Sequence, residues 1–126
     1  MAERVYSFDK SEGSKLKEVL DRDPYASASF DAKKVEEEKK KDPYFDLLFV
    51  RQDNRLIDGA AYGLDENKYY LYINASEDFL SRAEQMFKER FKTFKRLEPE
   101  EEGRLIKRLN EEKDNALSGF GAIFGS

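Results

Sequence analysis

Three runs of apolar residues in the middle of the chain constrain its fold more than any other feature. Turn-forming residues separate the runs, which cover residues 45–51, 55–62 and 68–74. The first break is Asp53-Asn54, a pair that tolerates the backbone angles of a tight hairpin turn. Short apolar runs bounded by Asp, Asn and Gly are typical of β-strands. The pattern predicts a three-stranded antiparallel meander.

A tight turn at Asp53-Asn54 also predicts the register of the meander. In this register Val50 lies opposite Ile57, and Phe49 lies opposite Asp58. Both faces carry large apolar side chains, so we expect the sheet to be covered on both sides. Extra edge strands are predicted at Val5 to Phe8, at Tyr25 to Phe30 and at Thr93 to Leu97.

Apolar residues at three-to-four spacing predict the helices. The best-defined helix follows Ser76, its expected cap, and its apolar stripe is Phe79, Ala83, Met86, Phe87 and Phe91. Pro99 is expected to begin a long C-terminal helix. Ser11 or Ser14 is expected to cap the first helix, and residues 31–41 are expected to form a charged one. The chain therefore reads as a single α+β domain over residues 1–126, with an apolar Gly/Phe tail from about 119 to 126.

The composition removes most of the side chains that carry out chemistry. The 126 residues include no histidine or cysteine, although 40% of them are charged. The usual proton shuttles, thiol nucleophiles and transition-metal ligands are therefore missing. We predict no catalytic residue, no cofactor and no metal site.

The apolar runs are too short to span a bilayer, and Met1 to Arg4 does not resemble the start of a secretory signal. These features predict a cytoplasmic protein without a membrane segment. A composition rich in Lys and Glu without His or Cys is also typical of thermophiles.

A basic aromatic stretch covers residues 87–96. Its cations are Lys88, Arg90, Lys92, Lys95 and Arg96, and they stand against the single acid Glu89. Cations interleaved with aromatic rings are typical of single-stranded nucleic-acid or phosphate binding. The alternative is a solvated helix face whose rings belong to the core. The net charge of −4 disfavours nucleic acid as a partner without excluding it.

Asp58 is the candidate perturbed carboxylate, because it falls within an apolar strand pattern. A desolvated carboxylate would have a raised pKa. Alternatively, Asp58-Gly59 forms a turn that points the carboxylate into solvent.

The C-terminal tail is the candidate interaction segment. Its apolar residues continue the helical spacing of the last helix and are Leu117, Phe120, Ile123 and Phe124. They are expected either to fold back onto the domain or to contact a protein partner or a second copy.

Three classes of function follow from these features. The first is a non-enzymatic interaction or regulatory module that uses the C-terminal helix and tail. The second is a weak binder of single-stranded nucleic acid or nucleotide phosphate through residues 87–96. The third is a small enzyme that uses carboxylate and lysine chemistry.

Overall fold

The computed structural model describes residues 1–26 and 30–125, and their side chains as far as residue 116. The fold is α+β, as predicted. The elements are β1 (Ala2–Asp9), α1 (Gly13–Asp21), α2 (Ala32–Lys41), β2 (Asp53–Asp58), β3 (Lys68–Ala75), α3 (Glu77–Arg90), β4 (Lys95–Arg96) and α4 (Pro99–Gly125). Short 3₁₀ turns occupy Lys10–Glu12, Phe49–Arg51 and Gly59–Tyr62.

The four strands form one antiparallel sheet in the order β2-β3-β1-β4. Strand β1 pairs with β3 along its whole length, from Ala2 opposite Ala75 to Asp9 opposite Lys68. It was expected at an edge, but it is an inner strand, because the two-residue β4 lies on its other side.

The two faces of the sheet carry separate hydrophobic clusters. Helices α1 and α3 cover one face, where Tyr6, Phe8, Leu71 and Ile73 meet the rings of Phe49 and Phe87. Helix α4 covers the other face, and its cluster is Val5, Ile57, Tyr70, Tyr72, Leu97, Leu105 and Leu109. The predicted covering of both sides is confirmed.

Helix α3 follows its sequence pattern closely. The side chain of Ser76 accepts a hydrogen bond from the Phe79 N–H at 3.1 Å and caps the helix. Met86 and Phe87 are buried against the sheet together with Leu71 and Ile73, as the apolar stripe predicts. Val50 is exposed, and Ile57 belongs to the cluster on the opposite face.

The first strand of the predicted meander does not form. Residues 43–46 make turns, and Phe49–Arg51 is a 3₁₀ turn. The Asp42 carboxylate accepts a hydrogen bond from the Tyr44 N–H, and the Leu47 N–H bonds to the Tyr44 carbonyl. These local bonds use the backbone groups that a strand would need, while the apolar side chains of the run other than Val50 are still buried.

The hairpin predicted at Asp53-Asn54 is wrong for the same reason. Both residues belong to β2, and the Asn54 amide donates to the Phe49 and Gln52 carbonyls. The predicted register fails as well, because Ile57 lies opposite Tyr70 and Asp58 lies opposite Tyr69.

The remaining N-terminal predictions have mixed outcomes. Helix α1 begins without a serine cap, because Glu12 occupies the N-cap position and makes no side-chain capping bond there. Helix α2 forms as predicted, with Asp31 as its cap and Val35 as its buried residue. For the strand predicted at Tyr25 to Phe30, residues 27–29 lie outside the described part of the chain, and Tyr25 and Phe30 are not in a strand.

Gly59 occupies a position where a side chain does not fit. A Cβ atom there would come within 2.0 Å of the Asp65 carbonyl oxygen, which is backbone. We expect Gly59→Ala to lower the free energy of unfolding by about 2 kcal/mol, the usual range for overpacking. Gly103→Ala is the control, because its Cβ meets nothing within 4 Å on the surface of α4, and it should stabilise by about 0.5–1 kcal/mol. Urea denaturation of both variants measures the difference, and equal effects would contradict the packing at Gly59.

Candidate functional site

The rings of the basic aromatic stretch belong to the core. Phe87 and Phe91 are buried, and Phe94 is partly buried against the same cluster. The ring of Phe87 lies 5.3 Å from that of Phe94 and 5.1 Å from that of Phe8. Rings packed in this way do not present a face to nucleic-acid bases, so their placement matches the alternative in which the rings belong to the core.

The five cations of the stretch are divided between two elements and the loop that joins them. Lys88 and Arg90 lie in the last turn of α3, Lys92 follows that helix, and Lys95 and Arg96 form β4. The structure therefore brings Lys95 and Arg96 together but separates them from Arg90, which lines a different cavity.

Two of these cations are paired with acids distant in sequence. Arg90 Nη2 lies 2.7 Å from Asp42 Oδ1, and Arg96 makes two bonds to the Glu102 carboxylate at 3.1 and 3.2 Å. Lys88, Lys92 and Lys95 are exposed and form no ion pair within the described part of the chain.

Asp58 has an ordinary structural role. Its carboxylate caps the 3₁₀ turn by accepting a bond from the Ala60 N–H at 3.0 Å, and it lies 2.7 Å from Lys10 Nζ. The hydrogen bond from Lys10 holds the pKa of Asp58 below its usual value. A desolvated Asp58 would have a raised pKa, whereas its pKa is lowered. The bond to the Ala60 N–H matches the alternative in which Asp58-Gly59 forms a turn.

A groove of about 410 Å³ lies between α1, α2 and α3. Asp42 and Arg90 pair inside it, and the Arg90 guanidinium lies 5.0 Å from the centre of the Tyr44 ring. The hydrogen bond from Arg90 lowers the pKa of Asp42. A general acid needs a raised pKa, so Asp42 is suited to an ion pair rather than to proton transfer.

A second concave region lies beneath the first turns of α4. It consists of two cavities of about 130 and 350 Å³ that share Tyr70, Leu97 and Glu101 as lining residues. We call it the Ser7 cleft, because Ser7 lines the smaller cavity together with Lys68 and Lys95. Ser7 is only 4% exposed, although its side chain is polar.

Glu102 positions the helix that roofs this cleft. It is a buried carboxylate in the first turn of α4, and its Oε2 accepts a hydrogen bond from the Val5 N–H at 3.0 Å. The same carboxylate holds Arg96 of β4. One side chain therefore joins α4 to the edge of β1 and to β4.

Helix α4 continues for nine residues past Ala116, the last residue whose side chain is described. Among its side chains described as far as Ala116, the last buried one is Leu109. Ala116 lines a cavity beside Asp53 and Asn54, which begin β2. The helix includes Gly119 and ends at Gly125, so the segment predicted as a tail is helical as far as Gly125. The side chains of Leu117, Phe120, Ile123 and Phe124 lie outside the described residues.

Within the described residues, no group of three or more Asp or Glu side chains could hold a metal ion. Likewise, none of the helices in this part of the chain is both long and apolar enough to cross a membrane.

Sequence reasoning missed the three residues that shape the Ser7 cleft. In the sequence, Glu102 is simply one of the acids in the first turn of a helix. Lys68 is a charged residue at the start of a strand, which does not indicate a site. Ser7 had one usable signal, since it is the single small polar residue between Val5 and Phe8. No protein-family model, curated protein or solved structure matches this chain.

Proposed function

We propose that the chain is a non-enzymatic protein-interaction module whose contact surface is distal α4, defined as residues 110–125. The observation that carries the proposal is the difference in length between α4 and the strands of the sheet it covers. Twenty-seven residues make a helix about 40 Å long. The eight-residue strands β1 and β3 extend only about 26 Å.

The mismatch leaves helix beyond the sheet. Because Ala116 already lies beside the start of β2, the nine helical residues from 117 to 125 add about 14 Å past that point. A helix of this kind depends on packing for its stability, since isolated short helices are marginal in water.

The sequence of distal α4 supports an apolar contact. At 100° per residue, Phe120 and Ile123 fall on the same helical face as Leu105 and Leu109, which pack on the sheet, and Leu117 and Phe124 lie next to them. The apolar face through which the first half of α4 packs on the sheet therefore continues into the second half. There it would require a further apolar surface to pack against.

A second copy of the chain is the partner that we propose for this face. Two such stripes are complementary to each other, and a symmetric pair uses the same patch twice. With aromatic side chains burying about 150–250 Å² each, two Phe, one Leu and one Ile per chain offer roughly 600 Å². A pair would then bury roughly 1,200 Å², which reaches the lower range of stable interfaces.

The test compares two double variants of distal α4. Phe120→Asp with Ile123→Asp places charges in the stripe, whereas Ser118→Asp with Ala122→Asp places the same charges on the opposite side of the helix. We expect the original chain and the control to have the solution mass of a dimer, and the stripe variant to have that of a monomer. Sedimentation equilibrium measures these masses.

Stability measurements identify the competing outcome. If the stripe folds against its own domain, the original chain will be a monomer and the stripe variant will lose more than about 1 kcal/mol of stability. That result would contradict the proposal, and so would a monomeric chain whose stability does not respond to the stripe variant.

A further inference from the structure

The floor of the Ser7 cleft is a hollow in the sheet. Ile57, Tyr70, Ser7 and Lys95 lie opposite one another in a single row across the four strands. Directly paired residues of antiparallel strands point to the same face, which here is the α4 face. Ser7 is by far the shortest side chain of the row, so a space opens above it between Tyr70 and Lys95.

The hydroxyl at the bottom of this hollow has little to bind. Ser7 Oγ lies 3.5 Å from the Lys95 carbonyl oxygen, at the outer limit of a hydrogen bond. Buried hydroxyls normally have a well-formed partner. A hydroxyl that is nearly buried, weakly bonded and next to a cavity is a donor suited to a ligand.

Two lysines line the same space. Lys68 begins β3, and Lys95 lies in β4 on the other side of Ser7. Neither forms an ion pair with another described residue. Arg96 is different, because its guanidinium already donates two hydrogen bonds to the Glu102 carboxylate.

The charges that line the whole cleft balance one another. Its two cavities are lined by five cationic side chains and three acidic ones, and two of the cations are paired with acids outside the lining, Arg96 with Glu102 and Arg108 with Glu112. The chain as a whole has a net charge of −4. Glu98 and Glu101 line the smaller cavity together with Ser7. An anion is therefore favoured only where Lys68 and Lys95, which form no ion pair with another described residue, flank Ser7.

We propose that the Ser7 cleft binds a small organic anion, with its phosphate or carboxylate group over Ser7, Lys68 and Lys95. Lysine ammonium groups and a hydroxyl suit the oxygens of either group. The larger cavity, which Tyr70, Leu97 and Leu105 line, then receives an apolar or aromatic body. A site with an apolar wall and a few converging polar groups is typical of small-molecule binding.

Nuclear magnetic resonance titration tests the proposal on the full chain. The probes are phenyl phosphate, phenylacetate and inorganic phosphate, added at constant ionic strength. We expect saturable shifts of the Ser7, Tyr70 and Lys95 amides with at least one aromatic anion. Stronger binding of phenyl phosphate or of phenylacetate then distinguishes a phosphate ligand from a carboxylate ligand.

Paired lysine variants provide the control. Lys95→Ala should weaken binding about tenfold, because it removes a charge-assisted contact. Lys88→Ala removes an exposed lysine of α3 that lines neither cavity, and it should leave the affinity within about twofold.

Two substitutions of Ser7 test the hollow itself. Ser7→Val fills the hollow and should abolish the saturable amide shifts. Ser7→Ala removes only the hydroxyl and should weaken binding of the anion. Melting curves verify that each variant is folded. The proposal is overturned by non-saturable shifts spread over the chain, by equal effects of Lys95→Ala and Lys88→Ala, or by unchanged binding in a folded Ser7→Val variant.

Discussion

Replacing Phe87 with alanine should lower the free energy of unfolding by about 3–5 kcal/mol. Phe87 is fully buried at the centre of the larger cluster. Its ring lies between 5.1 and 6.0 Å from those of Tyr6, Phe8, Phe49, Phe91 and Phe94. Removing the ring would leave a cavity bounded by β1, α3 and the 3₁₀ turn at Phe49. A shift of one helix alone could not close this cavity.

Urea denaturation measures this effect, with the slope of the transition showing that the unfolded state is unchanged. Lys88→Ala is the matched control, because Lys88 is the next residue of α3 and is exposed. The control should stay within about 0.5 kcal/mol of the original chain. A loss below about 1 kcal/mol for Phe87→Ala would contradict its central position.

Replacing Glu102 with alanine should cost about 3 kcal/mol, the second largest effect that we expect. The substitution leaves the Val5 N–H without its acceptor and removes both bonds to Arg96. An unsatisfied buried N–H costs about 1–3 kcal/mol, and hydrogen bonds to charged groups contribute a similar amount. Because Arg96 is partly exposed and can be rehydrated, its share should be reduced.

A graded series separates the two contributions of Glu102. Glu102→Gln retains an oxygen for the Val5 N–H but loses the charge that holds Arg96, so its cost should be nearer 1 kcal/mol. Glu100→Ala removes an exposed acid of the same turn and should have little effect. If Glu102→Ala and Glu100→Ala have equal stabilities, the carboxylate does not fasten α4 to the sheet.

The parts of the fold that could be predicted are those with a local physical signal. Helix α3 has a capping serine, acids in its first turn and an apolar stripe, all within fifteen residues. Pro99 and the three acids that follow it likewise predicted where α4 begins. These signals act over one or two turns, and the tertiary structure agrees with them.

The failures have two different causes. Residues 45–51 are as apolar as a strand and were expected beside β2, but local bonds of Asp42 and Tyr44 use their backbone groups, and β2 is an edge strand. The pairing of β1 with β3 joins residues about 60 positions or more apart. No pattern within a short window contains that information, so the inner position of β1 could not be predicted.

The candidate sites were difficult to predict for a related reason. The basic stretch was correctly seen as rich in cations, but its separation into paired and unpaired groups depends on Asp42 and Glu102. The hollow over Ser7 depends on three strands that meet only in the folded chain. Its lining residues are therefore scattered between positions 7 and 101.

The inner position of β1 also has a consequence for how the chain reaches its folded state. Of the four strands β1 is synthesised first, and its partners β3 and β4 begin 66 and 93 residues after it. Its apolar residues Val5, Tyr6 and Phe8 remain without a sheet during that interval. Folding that must wait for such distant pairing is slow, and a strand exposed in the meantime favours contact with other chains. We therefore expect refolding yield to fall as protein concentration rises, with β1 as the segment that first pairs wrongly.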